Sequence, residues 1–574
     1  MKISINWLEE LINSKVSVEE IIRLLPLRTI GIKDVTDDFI ELDMKGYNRA
    51  DLLSLRGIAY EVAAITDSKV TFAEPNPESF TWNGKNLPEA SVKVENPELA
   101  PLYCIAEISG LKVGASPADW VKKLADSGIR AVNNIADITN LVMLEYGQPS
   151  HAFDAATIKD QALIVRTAKE GENLITLDGK TRKLLSSDLL ITDPEKAVGL
   201  AGVMGGKNSE VTEKTAEILL EVAIFDPKTI RKTATRLGLP SEAGTRFQHG
   251  LTGTRAFQAL NALIRTYQQL GGKLEAISIV DNLEEKTKTV TLTQKKVNSL
   301  IGIDIPPAEV ESSLTKLDFK LASHSSTPIK SGSSGNVVWD VTVPYFRLDI
   351  NIEEDLIEEV ARMYGYEKIP PQELQGKLPE KIDQSLFDLI YNLRLKFVEL
   401  GLTEVQTYSF YSTQVINELR MTTNDLIKIA NPISSETEYL RDEIWPNLLE
   451  KAAENLKYFK EVAIFEVGKA YQAKPELKEG YRLSILLSDD SGDPTPELYQ
   501  IFQETMSHLP GEKLQLHLEG EAEEREFFHP TRFAALEKDG KEIGFIAEIH
   551  PRIANKFGIE KRVAVLEIKI PDRQ

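Results

Sequence analysis

No single hydrophobic core can organise a chain of 574 residues, because cores stop growing at about 250–300 residues. At roughly 150 residues per domain, this length predicts about four domains. Glycine and proline, with 34 and 27 residues, are near their ordinary share, which excludes a collagen-like or wholly disordered chain. The sequence therefore predicts several globular domains in series.

The cysteine content and the start of the chain indicate the compartment. Cys104 is the single cysteine, which excludes an internal disulfide framework and a cysteine-rich zinc site. No apolar run approaches the ~18 residues that a bilayer crossing needs, and Met1–Asn6 does not have the pattern of a signal peptide. We therefore expect a cytoplasmic protein with no membrane partner.

Acidic residues outnumber basic ones, 88 to 67, and the formal net charge is −21. A uniformly basic coat for nucleic acid is excluded, because phosphate binding needs clustered lysine and arginine. A local basic face on an acidic chain is still allowed.

Shifts in composition divide this α+β multidomain chain into four predicted domains. The first, 1–72, is expected to be an N-terminal α/β segment and is followed by a polar linker. An α+β region covers 90–275, a compact unit 287–370 and a last domain 380–574. The compact unit is interrupted by Ser323–Asn336, whose serine and glycine content is typical of a mobile loop.

Periodic patterns locate elements within these domains. Ser17 and Glu20 form a capping box before an apolar helix that Pro26 is expected to end. Lys538–Lys541, between two alternating runs, is typical of a hairpin turn. Further predicted strands are Leu102–Ile108, Ala162–Thr167 and Glu217–Val222, and further predicted helices are Trp120–Asp126, Thr254–Leu270 and Ser385–Leu400.

The densest acidic cluster lies at a predicted helix start near Asn351. Three carboxylates share one face of that helix and a fourth precedes it, namely Asp355, Glu358, Glu359 and Asp349. Oxygen ligands on a rigid face suit Mg²⁺, which needs few carboxylates. Acidic residues that complement the helix dipole, with Asn351 and Glu354 as caps, are the alternative, and spacing alone favours it.

A second polar group lies near turn signals in the α+β region. Its members are of the types that line hydrolytic pockets: Asp137, Thr139, His151 and Asp154. A structural role, with His151 hydrogen-bonded at a turn, is the simpler interpretation of these residues alone. The sequence has no Gly-x-Ser-x-Gly elbow and no partnered cysteine nucleophile, which argues against an acyl-enzyme hydrolase.

Two stretches of small residues complete the candidates. Ala201–Ser209 is similar to a phosphate-binding P-loop, but it lacks the first glycine and has Asn208 where Ser or Thr must follow the lysine. Its glycines are typical of a close backbone approach to a ligand or a neighbouring strand. Ser241–Phe247 is consistent with a pocket wall or with a plain loop.

Eight short motifs follow one another along almost the whole chain. They are Asn48–Ser54, Asp137–Asn140, Gly147–Asp154, Gly202–Gly206, Leu220–Pro227, Arg347–Tyr366, Asn431–Ser434 and Phe465–Gly468. Taken together, and in this order, they resemble the beta subunit of bacterial phenylalanyl-tRNA synthetase. Chance agreement of eight ordered motifs is very improbable.

The resemblance implies a non-catalytic subunit that pairs with an alpha subunit in an α₂β₂ assembly. Such a complex uses ATP to attach phenylalanine to tRNA(Phe), and the alpha chain carries the synthetic active site. The last domain is then similar to a catalytically inactive class II synthetase core with an antiparallel sheet. The compact unit 287–370 is similar to a small winged-helix-like domain. No DNA partner is implied.

The resemblance also implies an editing domain at 90–275, which hydrolyses tyrosine mischarged onto tRNA(Phe). A second sieve is useful because a hydrophobic pocket rejects an added hydroxyl by only ~10²-fold. By motif position, Thr139, Asn140 and His151 lie near the scissile ester. Glu221 is expected to accept the tyrosine hydroxyl, and Ala243 to leave room for it.

The acidic cluster resembles the family's Mg²⁺ site at the interface with the alpha chain. By motif position, its ligands are Asp349, Asp355, Glu358 and Glu359.

The chain also departs from the family. Four positions differ from the usual residues, namely Ser241, Gly244, Gln248 and His249. Two modules that bacterial members usually carry are expected to be missing, an OB-type tRNA-binding domain and a ferredoxin-like anticodon-binding domain. A subunit without editing activity, which only supports the alpha chain and tRNA placement, is the alternative function.

Overall fold

Two compact units divide the chain, Met1–Glu373 and Leu374–Gln574, and both combine helices with sheets. Among the residues described, no helix has the length and apolar character needed to cross a membrane. The computed structural model describes residues 1–13, 16–74, 76–325, 337–373, 376, 382–474, 476–490, 492–508, 515–517, 526–538 and 541–570. Most of the predicted loop Ser323–Asn336 lies outside these residues.

The N-terminal part of the first unit is a small α/β layer. Its helices are Ile5–Leu11, Val18–Arg28 and Leu55–Ile65. Its three-stranded antiparallel sheet has the order Lys2–Ser4, Phe39–Leu42 and Ile32–Val35. A two-stranded pair joins Ile12–Asn13 to Lys69–Val70.

Pro26 does not end its helix, so that prediction was wrong. The helix begins as expected, with the Ser17 hydroxyl accepting a hydrogen bond from the Glu20 N–H, but it continues to Arg28. Proline removes only one backbone donor. The last turn is instead closed on the Leu25 carbonyl, which accepts hydrogen bonds from the next two N–H groups beyond the helix.

Two large sheets form the next part of the first unit. A four-stranded antiparallel sheet has the order Lys273–Asp281, Leu102–Ser109, Ile218–Ile224 and Ser150–Asp154. A five-stranded sheet has the order Met204–Gly205, Ala197–Leu200, Leu189–Thr192, Leu163–Thr167 and Val92–Val94. Asn173–Ile175 and Thr181–Lys183 form a separate pair. The three strands predicted here are confirmed within one or two residues.

Helices cover these sheets and close the apolar cores between the layers. They are Ala118–Asp126, Asn134–Tyr146, Pro227–Leu237, Glu242–His249 and Gly253–Gln269. Asn133 begins the second of them by accepting hydrogen bonds from the Ile135 and Ala136 N–H groups. Gly147 ends it at a φ of +75°, a conformation that favours glycine. Ser241–Phe247, for which the sequence allowed either a pocket wall or a plain loop, is mostly helical.

The last part of the first unit is a three-stranded antiparallel sheet with three helices. The strand order is Thr289–Thr293, Val337–Thr342 and Lys320–Ser325. The helices are Gln294–Ile301, Pro307–Lys316 and Glu353–Tyr364. Trp339, fully buried, lies at the centre of their common core.

The second unit is organised by a seven-stranded sheet. Its order is Thr403–Glu404, Val462–Gln472, Lys478–Ser488, Ala564–Lys569, Lys541–Ile549, Phe528–Lys538 and Gln515–His517. Phe410–Tyr411 pairs with Tyr439–Leu440. The helices are Ser385–Glu399, Thr413–Leu419, Trp445–Asn455, Thr495–His508 and Pro551–Lys556. The predicted hairpin is confirmed, because Lys538 pairs with Lys541.

Buried ion pairs connect the N-terminal layer to the last part of the first unit. Arg362 donates hydrogen bonds to both carboxylate oxygens of Glu61, at 2.7 and 2.9 Å, and also to Glu359. Arg49 donates to Glu61 and Asp51. These side chains are almost inaccessible, so each charge depends on its partner for compensation.

Replacing Glu61 by alanine is expected to destabilise the first unit by about 3–5 kcal/mol, because Arg49 and Arg362 would keep buried charges without a shared carboxylate. Urea denaturation measures the free energy of unfolding. Glu20→Ala is the control, since Glu20 pairs with Arg23 on the exposed face of a helix and should cost less than about 1 kcal/mol. Equal losses in the two variants would contradict a structural role of this ion-pair cluster.

Candidate active site

A cavity of about 290 Å³ is bounded by strands of both large sheets and by helices Asn134–Tyr146 and Glu242–His249. We call it the His151 cavity. It brings together all five residues that the sequence suggested for hydrolytic editing, which are Thr139, Asn140, His151, Glu221 and Ala243.

Strand register places the two titratable residues side by side. His151 and Glu221 are direct partners in the antiparallel pair Ser150–Asp154 and Ile218–Ile224. Opposite residues in such a pair point to the same face, with their Cβ atoms about 4.5–5.5 Å apart. The other lining residues come from strands, turns and the two helices. Thr139, within helix Asn134–Tyr146, is held by a hydrogen bond that its hydroxyl donates to the Ala136 carbonyl.

Gly205 forms the wall behind His151. A Cβ atom at this position would lie 2.7 Å from both Cε1 and Nε2 of the imidazole, so only glycine fits here without movement of the ring. The sequence predicted that the glycines of Ala201–Ser209 allow a close backbone approach to a ligand or a neighbouring strand. The contact with His151 and the pairing of Gly205 with Gly199 agree with that prediction.

Burial keeps the His151 imidazole neutral. It lowers the pKa of His151 to about 4, so the ring carries no charge at neutral pH. Its Nε2 atom is enclosed and has no hydrogen-bond partner among the residues described. The ring lies edge-on to Phe153, with centroids 4.5 Å apart. The simpler interpretation, a histidine satisfied at a turn, therefore does not describe this side chain.

Glu221 is buried in the same wall. Burial raises the pKa of Glu221 to about 7, and a hydrogen bond from Tyr103 opposes that rise. The Tyr103 hydroxyl donates to Glu221 Oε2 at 2.8 Å. A carboxylate of this kind is nearly balanced between its ionised and neutral forms at physiological pH.

The residues around Ala243 belong to a helix start. The Ser241 hydroxyl accepts a hydrogen bond from the Gly244 N–H and donates one to the Val203 carbonyl, at 2.9 and 3.0 Å. These bonds tie the helix to the glycine-rich turn. Of the four positions that depart from the family pattern, Ser241 lines the cavity, and Gly244, Gln248 and His249 are not part of its described lining.

The four acidic residues suggested for Mg²⁺ are mostly engaged by other partners. Arg347 donates hydrogen bonds to both oxygens of Asp349, at 2.9 and 2.7 Å, and one to Glu359. Asp355 Oδ2 accepts hydrogen bonds from the N–H groups of Asn351 and Ile352.

Glu358 is exposed, and no hydrogen bond or ion pair is described for it. The N-cap position of the helix is Ile352, and not Asn351 as predicted. The side chain that accepts the backbone N–H groups at this helix start is Asp355, and not Glu354 as predicted. Within the described ranges, no group of three or more acidic, histidine or cysteine side chains is arranged to hold a metal ion. The assignment of these four carboxylates as Mg²⁺ ligands stays a prediction.

Three family models match consecutive parts of the chain. A B3/4 domain model matches residues 99–272, a tRNA synthetase B5 domain model matches 290–366, and a phenylalanyl tRNA synthetase beta chain CLM domain model matches 369–570. The His151 cavity and the Asp349–Glu359 cluster lie in the first and second of these matches, respectively.

Whole-chain comparison extends this result. The phenylalanine–tRNA ligase beta subunit of Bacillus thuringiensis subsp. konkukian is 34% identical over 573 residues, covering 94% of this chain and 67% of that protein. The same subunit of Staphylococcus haemolyticus is 34% identical over 552 residues, covering 93% and 66%. The chain belongs to the phenylalanine–tRNA ligase beta-subunit family. It spans about two thirds of the length of these relatives.

Among solved structures, an N-terminal fragment of the phenylalanyl-tRNA synthetase beta subunit from Pyrococcus horikoshii is 16% identical to this chain. The match covers 63% of this chain and 99% of that one, with a TM-score of 0.33.

Sequence reasoning missed two residues that shape this cavity, Gly205 in its lining and Tyr103 behind it. Tyr103 lies in a strand of otherwise apolar residues, and a buried tyrosine hydroxyl needs a partner, which was the available signal. Gly205 was noted only as part of a glycine-rich turn, because its distance to the His151 ring depends on the pairing of separate strands.

Gly205→Ala is expected to push the His151 ring out of its buried position and to raise its pKa from about 4 towards the ordinary value of 6.5. The protonated ring should then appear at a higher pH in the NMR titration of ¹³C-labelled histidine, with His151→Asn identifying the signal. Gly199→Ala is the matched control, since its Cβ would lie 3.7 Å from Phe153, an ordinary contact. An equal shift in both variants would disprove the specific contact.

Proposed function

We propose that this chain is the beta subunit of a phenylalanine–tRNA ligase and that its His151 cavity hydrolyses tyrosine mischarged onto tRNA(Phe). The ligase reaction, which joins phenylalanine to tRNA at the expense of ATP, is assigned to an alpha subunit. The observation that carries the editing assignment is the pairing of His151 with Glu221 on one face of one sheet, inside a small cavity.

The cavity offers different chemistry to the two ends of a tyrosyl ester. Glu221 presents a buried carboxylate, which suits the phenol hydroxyl of tyrosine and has no partner in phenylalanine. A site built to hydrogen-bond a hydroxyl rejects an analogue that lacks it, because the buried polar group is then left unpaired. Ala243 adds little bulk to the opposite wall. The proposed selectivity for tyrosine follows from these two features.

Hydrolysis at the ester end requires a water molecule but no covalent enzyme intermediate. The water oxygen bonds to the ester carbonyl carbon, the bond to the ribose oxygen breaks, and the ribose oxygen takes a proton. Neutral His151, with Thr139 and Asn140, is assigned to positioning these groups. Held geometry of this kind lowers the barrier by reducing the entropy lost in reaching the transition state.

An outward-facing stripe on helix Ser385–Glu399 supports an alpha-subunit partner. Leu389, Ile390, Leu393 and Phe397 face the core of the second unit. Phe387, Tyr391, Leu395 and Val398 are instead between 48% and 68% exposed and recur at helical spacing. An apolar stripe of this length on a water-exposed helix is typical of a helix-packing interface. We assign it to the alpha subunit within an α₂β₂ assembly.

The second unit is proposed to be a class II synthetase-like core without synthetic chemistry. Two of its buried charged side chains are bonded within the chain. Arg441 donates hydrogen bonds to Glu466 and Thr407, both at 2.7 Å. Glu567 accepts hydrogen bonds from the N–H groups of Ile444 and Trp445. The part of the first unit around Trp339 is proposed to be the winged-helix-like domain.

Magnesium is proposed only as an ion shared with the alpha subunit. Asp355 has one oxygen that is not used for capping, and Glu358 is exposed one helical turn further along the chain. These two can contribute oxygen ligands, whereas Asp349 and Glu359 are compensated by Arg347. The remaining ligands would have to come from the partner and water, as is usual for Mg²⁺.

The further partners follow from the same assignment. tRNA(Phe) is the proposed nucleic acid ligand, with no role for DNA or a membrane, and the cytoplasm is the proposed location. The alternative is a scaffold that supports the alpha chain and tRNA placement without editing. Of the four departures from the family pattern, at Ser241, Gly244, Gln248 and His249, only Ser241 belongs to the described lining of the His151 cavity and so bears on that alternative.

His151→Ala and Glu221→Ala are each expected to reduce hydrolysis of Tyr-tRNA(Phe) by about 10²–10³-fold, since they remove the positioning imidazole and the hydroxyl acceptor. The assay uses the complex with its alpha subunit and follows release of labelled tyrosine. His249→Ala is the control, since that imidazole bonds to the Thr245 carbonyl and does not line the described cavity. Normal charging by the unaltered complex without tyrosyl hydrolysis would establish the scaffold alternative.

Tyr391→Glu combined with Phe387→Glu is expected to prevent co-purification of the alpha subunit, because two charges would have to be desolvated in the interface. The measurement is the yield of complex after size-exclusion chromatography. Asn392→Glu, on an exposed neighbouring position of the same helix, is the control and should leave assembly intact. Unchanged assembly of the double variant would remove this stripe from the interface.

A further inference from the structure

Tyr103 is a buried phenol directly behind the His151 cavity. It lies on strand Leu102–Ser109, next to the strand that carries Glu221, and it is fully inaccessible. Tyr103 aligns with Ala223, two residues beyond Glu221, so the two side chains share one face of the sheet. Its hydroxyl donates to Glu221 Oε2 at 2.8 Å, and it is not part of the cavity lining.

The surroundings of Glu221 contain little else that could compensate its charge. Three titratable groups face it or share its cavity: Tyr103 from the adjacent strand on one side, His151 from the strand on the other side, and Glu242 from the helix start. His151 is neutral at physiological pH because burial lowers its pKa to about 4. Among the described lining residues there is no lysine or arginine.

We infer that Tyr103 is a positioning residue of the editing site, which holds one oxygen of Glu221 so that the other oxygen can accept the phenol of a tyrosyl ester. This inference rests on the proposed editing function. Tyr103 acts through Glu221 and has no substrate contact of its own.

The chemistry requires an ionised carboxylate. An ionised Glu221 accepts hydrogen bonds at both oxygens, from Tyr103 and from a tyrosine substrate, and donates none. A protonated carboxyl would offer a donor of its own and would accept more weakly. Discrimination between tyrosyl and phenylalanyl esters should therefore be full at high pH and be lost as pH falls through the pKa of Glu221, near 7 in the unaltered chain.

Removal of the Tyr103 hydroxyl should move the pH midpoint of this discrimination upward. The hydrogen bond lowers the pKa of Glu221, so Tyr103→Phe must raise it further above the ordinary value. A hydrogen bond to a charged group is worth enough to move the midpoint upward by about one to two pH units. At pH 7.5 the selectivity of the variant for the tyrosyl ester should fall by about 3- to 25-fold, in proportion to the ionised fraction of Glu221.

The first measurement is the ratio of kcat/KM for Tyr-tRNA(Phe) to that for Phe-tRNA(Phe) from pH 5.5 to 8.5, using the complex with its alpha subunit. Tyr267→Phe is the matched control, because Tyr267 is also fully buried in the same region and donates its hydroxyl to the Ile135 carbonyl at 2.9 Å. The midpoint should move upward in Tyr103→Phe and stay in place in Tyr267→Phe. An unmoved midpoint, or equal shifts in both variants, would overturn the inference.

A second measurement does not depend on hydrolysis and so separates failure of this inference from failure of the proposed function. The pKa of Glu221 is raised on folding, so its charge destabilises the protein progressively as pH rises from about 4.5 to about 7. The Tm of E221Q minus that of the unaltered protein should grow over this range and then level off.

When both proteins also carry Tyr103→Phe, the Tm difference between the E221Q variant and the protein with Glu221 should level off at a pH about one to two units higher. If the unaltered complex does not hydrolyse Tyr-tRNA(Phe) but this shift is found, the editing assignment fails while the Tyr103–Glu221 coupling stands. If the shift is absent, the coupling itself is disproved.

Discussion

The antiparallel pairing of Ser150–Asp154 with Ile218–Ile224 is the constraint on which the candidate site depends. It sets His151 opposite Glu221 and points both towards the cavity. A slip of one residue in either strand would turn the side chain on that strand to the other face of the sheet and separate the pair. Phe153 and Leu219, on the cavity face, are buried in one core, whereas Ala152 and Leu220 are buried in the core on the other face. The register is therefore held by apolar packing on both sides of the sheet.

Charge is buried in two contrasting ways in the first unit. In the ion-pair cluster, Arg49 and Arg362 hold the pKa of Glu61 low, at about 2, and the burial penalty is met by direct compensation. The described residues that line the His151 cavity include no lysine or arginine, and burial raises the pKa of Glu221 to about 7. The first arrangement stabilises one geometry, whereas the second leaves a carboxylate ready to respond to a ligand.

Local patterns predicted many of the elements well. The helix from Ser385 was found from its apolar periodicity, because it buries one face. The strand from Leu102 was found from its continuous apolar run, because both of its faces are buried. Errors came where a local signal had more than one structural solution. Pro26 was compatible with a helix that closes its last turn on Leu25, and the Asp355 carboxylate proved to be a cap by backbone contacts that spacing could not show.

The sequence by itself determined the ordered motifs of the beta-subunit family and, through them, the five residues of the cavity. It did not determine the state of those residues, since the residues alone favoured a structural role for His151. Tertiary structure decided that His151 is neutral, that Glu221 is bonded to Tyr103, and that Arg347 compensates two of the four suggested metal ligands. The physical reason is that desolvation and charge compensation depend on which distant segments pack together, and spacing along the chain does not encode those distances.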